Sequence, residues 1–196
     1  MFAWDGRSTG DAPGAPLHVP RARQGSGRHD APDLYGAWYC SLHAISAVAE
    51  SIHWLRGNML QDHDFARTEG RVLALATFLA GEEVVLADLD DPHELARRDW
   101  RPSSLATSNR RVTQGRARTV FSDGLAGLGW WSTLEASWTN VTLFQERVRP
   151  HVRLVGRPEP LATSSAAVQE AARRLGIPIE TPKTSRSGRL GQGPKN

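Results

Sequence analysis

A short aromatic run, AWYCS at Ala37–Ser41, stands directly before a helical stripe, and this strand-to-helix unit constrains the fold more than any other part of the chain. The run is flanked by turn-forming residues and has the length of a buried strand. Behind it, Ile45, Val48, Ala49, Ile52 and Leu55 recur at three- and four-residue spacing, which lays one apolar stripe along a helix. Ser41 is the expected N-cap of that helix and Gly57 its stop.

The remaining periodic segments suit the same kind of architecture. Residues 71–78 and 83–89 hold enough Val and Leu for central strands, and their junction at Gly81 predicts an antiparallel pair. Asp91 and Pro92 supply the N-cap and first-turn proline of a helix running through Arg98. A further helix is expected over 107–120 before a turn at Asp123-Gly124, then strands at 129–132 and 140–144, and a last helix over 165–175 that stops at Gly176. The expected fold class is α+β, a single domain with a mixed, split β-sheet and flanking helices. Residues 1–15 read as a poorly ordered lead-in, 16–19 as a first short strand, 16–180 as the folded domain and 181–196 as a disordered basic tail.

The sequence pI of about 9.6 is local in origin. Residues 181–196 carry four bases and no acid, which leaves 20 bases against 21 acids in the rest of the chain. A near-neutral body argues against nucleic-acid binding, which needs a basic stripe on the folded surface. The longest apolar region, 72–89, is interrupted by Gly81, Glu82 and Glu83 and is too broken to span a bilayer. With no basic-then-apolar leader, the expected location is the cytoplasm, and a lone Cys40, read as a small buried hydrophobe, fits a reducing compartment.

Metal chemistry finds little footing. Asp88, Asp90 and Asp91 follow a strand as a cation site would, but Asp91-Pro92 reads better as a helix cap. His63 between Asp62 and Asp64 stands without a second motif, and there is no HExxH. Neither GxGxxG nor GxxxxGK[ST] occurs near Gly25, Ser26 and Gly27, although glycines ahead of Arg28 could bring backbone N–H groups and a guanidinium fork to an anion. A solvated arginine on a loose loop is the competing reading. Glu50 flanks the apolar stripe, and spacing alone favours an exposed helix acid over one that faces a cleft. Ser132 lacks a nucleophile elbow, so a hydrogen-bonding role suits it better, while Trp130, Trp131 and Trp138 serve equally for stacking or packing.

In order and spacing, Gly27-Arg28, Tyr39, the AVAE of 47–50, Asp123-Gly124-Leu125, Trp131-Ser132, Asn140 and Leu143-Phe144 resemble the RES domain family over residues 16–161. Two features depart from its pattern. His29 follows Arg28 where the family shows Phe or Trp, and the family's earlier arginine has three candidates here, Arg7, Arg21 and Arg23.

The resemblance implies a fold like that of ADP-ribosyltransferases and an enzyme that consumes NAD without a metal. It implies a hydrolase or transferase, either an NAD glycohydrolase or phosphorylase or an ADP-ribosyltransferase. Such an enzyme would be the toxin of a bacterial toxin–antitoxin pair, blocked by a cognate antitoxin, with room for a homodimer. In that reading Arg28 holds the NAD phosphates or carboxamide, Tyr39 packs on the nicotinamide, Ser132 orients its end of the substrate, and Glu50 acts electrostatically. Gly27, Trp131 and Asn140 complete the NAD site. The alternative is a non-catalytic module of the same fold that binds a nucleotide or a protein without turnover.

Overall fold

The computed structural model describes the backbone of residues 2–4, together with residues 16, 18 and 20–180. Seven strands and six α-helices are seen among them, in the order β1 (Phe2–Trp4), β2 (Ala37–Ser41), α1 (Ala44–Ile52), β3 (Val72–Ala80), β4 (Leu86–Asp88), α2 (Pro92–Arg97), α3 (Pro102–Ala106), α4 (Arg110–Ser122), β5 (Gly127–Trp131), β6 (Thr139–Phe144), α5 (Gln145–Val148), β7 (Val152–Pro160) and α6 (Ala166–Leu175). The fold is α+β with two sheets. One has the order β1-β3-β7 and is antiparallel; the other, β2-β6-β5-β4, is mixed because β4 runs parallel to β5.

The expected hairpin of 71–78 with 83–89 does not form. Its two segments become β3 and β4, which sit in different sheets. The turn after Gly81 lets the chain leave the first sheet, and β3 takes β7, a strand the sequence reading missed, as its partner. The AWYCS strand and the strands after Gly124 lie where they were expected. Ser41 does not cap α1, whose N-cap position is His43 without a side-chain bond. Asp91 does cap α2 by accepting from His93 N, and α4 begins at Arg110, later than expected, because Asn109 caps it. Gly176 closes α6 with φ of 67°, the left-handed geometry that glycine adopts at little cost.

Of the 1–15 segment, Phe2–Trp4 pairs with β3. Pro16 lies in a turn, while Leu17 and Val19 of the expected first strand, and the whole basic tail, fall outside the described residues.

Three apolar clusters hold these layers together. Leu95, Leu105, Ala117 and Val120 from the central helices pack on Ala37, Leu128 and Phe144 of the mixed sheet. Val48, Ala49 and Ile52 of α1 meet Val168, Ala171 and Ala172 of α6, with Leu73 and Leu75 of β3 against them. On the far face of the mixed sheet, Val141 and Leu143 are joined by Trp38 and Cys40, and Trp38 meets Phe78 of the other sheet edge to face at 4.5 Å. Among the described residues no helix is long and apolar enough to cross a membrane.

Candidate functional site

Strand register sets the site. β6 is central, with Asn140 opposite Ser41 on one side and Trp130 on the other, and Phe144 opposite Ala37. Because residues two apart share a sheet face, Ala37, Tyr39, Ser41, Asn140, Thr142 and Phe144 line one surface. That surface is apolar at the Ala37–Phe144 end, where the central helices cover it, and polar at the Ser41–Asn140 end. There the sheet opens into a cavity of about 500 Å³ whose lining includes Gly27, Arg28, Tyr39, Glu50, Trp130 and Asn140. The volume lies within the ~300–1,000 Å³ usual for small-molecule sites.

Glu50 comes from α1, which follows β2 and lays its apolar stripe against α6, so that the flanking acid meets the sheet. Its Oε1 accepts from Ser132 Oγ at 2.7 Å and from Asn140 Nδ2 at 2.7 Å. Asn140 is oriented in turn by Ser46 Oγ, which donates to its Oδ1 at 2.9 Å, and by the Ser41 hydroxyl, which makes a short bond to the same oxygen. Ser41 therefore serves Asn140 rather than the helix end. Ser132 is 1% exposed and Asn140 2%, so both donors to Glu50 are themselves buried and fixed in place.

Ser132 is buried behind Glu50 and is not in the cavity wall. Its hydroxyl also accepts from Leu134 N at 3.1 Å, which commits both its proton and an acceptor position. The resemblance gives Ser132 the nicotinamide end of a substrate; the geometry gives it Glu50. Trp131 likewise stands outside the cavity lining, which takes Trp130 in its place.

Arg28 is half-buried and anchored, not solvated. Its Nη1 donates to Leu105 O at 2.8 Å and Thr107 O at 3.0 Å, and the guanidinium lies 5.4 Å from the Trp130 ring centre. Burial lowers its pKa, as does the nearby charge of Arg110, against the opposing pull of Glu50 and Tyr39.

The glycines before it do bind an anion, but an internal one. Gly25 N and Gly27 N each donate at 2.7 Å to Asp30 Oδ2, while Tyr39 OH donates to Asp30 Oδ1 at 2.8 Å. A Cβ on Gly27 would sit 2.5 Å from Asp30 Oδ1 and 2.6 Å from Tyr39 OH, so only glycine allows this approach. Tyr39 OH also accepts from His29 N at 2.8 Å, which leaves the ring as the part of Tyr39 that meets the cavity. Burial, opposed by the His29 N–H and reinforced by the Asp30 carboxylate, keeps the phenol protonated well above its ordinary range.

His29, the departure noted beside Arg28, is buried at the back of this loop. Its Nδ1 is 2.8 Å from Thr142 Oγ1, and its ring lies edge-on to Trp130. Cys40 also borders the cavity, and burial pushes its thiol up to about 11, which disfavours a thiolate nucleophile.

Of the candidates for the earlier arginine, Arg21 turns away to Pro32 O and Glu146, and Arg23 is exposed on the same short helical turn; Arg7 lies outside the described residues. The sequence reading missed Arg110 and His53, both of which line the cavity. His53 follows Glu50 by one helical turn, and its Nδ1 is 2.9 Å from Glu50 O. The spacing of His53 was available in the sequence; Arg110, far along the chain, gave no sign.

Comparison with known proteins adds one finding. The RES domain profile matches residues 6–164. No curated protein and no solved structure matches the chain.

Proposed function

The chain belongs to the RES domain family, and from that premise we propose that it is an NAD-consuming enzyme that cleaves the N-glycosidic bond to nicotinamide. The observation that carries the reading is the Glu50 carboxylate, held through Oε1 by Ser132 and Asn140 at the edge of a cavity large enough for a nucleotide. Oε2 takes no hydrogen bond from the described residues, so the carboxylate keeps an oxygen for a ligand.

The chemistry suits such a group. Nicotinamide in NAD is a cationic ring, and when the glycosidic bond breaks its electron pair stays with the ring nitrogen, which leaves neutral. The ribose gains the character of an oxocarbenium ion. A preorganised carboxylate beside it stabilises that charge, and it can also accept a proton from a ribose hydroxyl or an incoming nucleophile. Asn140 and Ser132 donate to the acid before the reaction begins, so little reorganisation is needed at the transition state.

The other parts fall into place around this step. Tyr39 offers a ring face for the nicotinamide, since its hydroxyl is already engaged by His29 and Asp30. Arg28, fixed by two carbonyls, offers its remaining N–H groups to phosphate. Asn140 acts through Glu50, and Gly27 acts by letting Asp30 and Tyr39 approach. The division into two sheets supports an ADP-ribosyltransferase-like arrangement. In the cell the reading makes the protein the toxin of a toxin–antitoxin pair, with a partner protein that blocks the cavity.

The test is to incubate the purified protein with NAD and quantify nicotinamide beside the Glu50→Gln variant. The expected result is release by the wild type and a loss of kcat of about 10²–10³ in the variant, the scale for removing one preorganised electrostatic group. Equal release by both proteins, or none by the wild type, ends the reading. Product analysis names the acceptor: free ADP-ribose for water, its phosphorylated form for inorganic phosphate, and a modified polypeptide for a protein side chain. ADP-ribose binding without nicotinamide release would instead identify a non-catalytic module.

A further inference from the structure

The cavity holds a second guanidinium that neither the motif nor its spacing announced. Arg110 opens α4, and the first turns of that helix are fastened to the Arg28 segment. Thr113 Oγ1 donates to Arg28 O at 2.5 Å, and Gln114 Nε2 donates to Gly25 O and Gly27 O at 2.9 Å each. Arg28 and Arg110 therefore belong to one braced unit, not to two independent loops.

Charge is unbalanced there. The cavity lining contains Arg28 and Arg110 against one carboxylate, Glu50. Arg110 is exposed, and its side chain makes no hydrogen bond or ion pair with the described residues. The two cations feel each other, since the Arg110 charge lowers the pKa of Arg28 and also that of buried His29. Like charges held toward one hollow repel until an anion enters, and a guanidinium meets phosphate oxygens through paired N–H donors.

We propose that Arg28 and Arg110 form a two-armed clamp for a pyrophosphate, so that Arg110 makes the site selective for a dinucleotide. This rests on the NAD reading above. The charge match is direct, because two arginines face the two phosphate charges, while Glu50 faces the positive end of the molecule. Arg28 is the fixed arm, tied to Leu105 and Thr107, and Arg110 is the solvent-side arm that closes on the second phosphate.

The experiment compares wild type, Arg110→Ala and Arg110→Lys on NAD and on nicotinamide riboside, which has the same scissile bond and no phosphate. Arg110→Ala should lower kcat/KM for NAD by about tenfold to a hundredfold, mainly through KM, as expected for a lost charge-assisted bond to phosphate. Arg110→Lys should recover part of it, and the riboside should show no such loss. An equal loss on both substrates, or none on NAD, overturns the clamp. Calorimetry with inorganic pyrophosphate separates this proposal from the one beneath it. If pyrophosphate binds the wild type and binds Arg110→Ala more weakly while NAD is not consumed, the clamp stands and the NAD reading falls. If it binds both alike, or neither, the clamp falls.

Discussion

Ser132 and Glu50 stand 82 positions apart in the chain, yet the Ser132 hydroxyl donates to Glu50 Oε1 at 2.7 Å from a site that is itself 1% exposed. A serine placed this way positions an acid. Ser132→Ala removes one of the two donors on that oxygen and leaves Asn140 to hold the carboxylate alone. The expected result is a fall in kcat of roughly tenfold with little change in KM, the cost of one hydrogen bond to a charged group. A rise in KM at unchanged kcat would show instead that Ser132 contacts substrate.

Asn140→Asp places a second carboxylate 2.7 Å from Glu50, where the amide nitrogen now donates. Two such acids cannot both ionise freely, so the pair should retain a proton to higher pH than Glu50 alone. The acid limb of the kcat–pH profile should move upward, with activity at neutral pH reduced. An unmoved limb would mean that the ionisation of Glu50 does not govern turnover.

Tyr39→Phe tests the division between ring and hydroxyl. The phenol oxygen accepts from His29 N and donates to Asp30, which is 4% exposed, so its loss leaves a buried donor and a buried carboxylate each short of a partner. Thermal or urea unfolding should show a cost of about 1–3 kcal/mol, whereas KM for NAD should change little because the ring remains. A large rise in KM with unchanged stability would place the hydroxyl on the substrate.

His29 should make the protein acid-sensitive. Burial, followed by the charges of Arg28 and Arg110, holds its pKa down at about 3, against an ordinary value of 6.5. Between these limits the unfolded chain binds a proton that the folded chain refuses. Stability therefore falls as pH drops from 6.5 toward 3, by an amount on the order of a few kcal/mol at the bottom of the window, and His29 adds no pH dependence well above it. Urea unfolding at pH 7 and pH 4.5 reads this directly. His29→Phe should flatten the drop; an equal drop in both proteins would remove His29 as its source.

Local patterns carried much of this architecture. AWYCS has strand composition and turn residues at both ends, and it forms the strand those features predict. The stripe from Ile45 to Ile52 needs a buried face and finds one on α6, and Gly176 ends that last helix with the backbone angle its small size permits. The lining of the candidate cavity was partly legible for the same reason. Gly27-Arg28, Tyr39 and Glu50 sit on one contiguous strand-to-helix unit, where order along the chain approximates proximity. The misreadings arose where side chains had a tertiary partner. Ser41 looked like a cap because Ser is a good one, but it pairs with Asn140, a residue 99 positions away. Residues 71–78 and 83–89 looked like a hairpin because both are apolar and adjacent, yet each had a better-matched strand elsewhere.

By itself, then, the sequence determined most of the strands and helices, though not β1 or β7, and which of their faces are apolar, since these are properties of neighbouring residues; it also carried the family pattern in the order and spacing of its motifs. Tertiary structure alone decided that Ser132 serves Glu50, that Trp130 and not Trp131 meets the cavity, and that Arg110 joins Arg28. Those outcomes depend on the register of β5, β6 and β2 and on where α4 docks, and such long-range pairings are selected by the packing of the whole core.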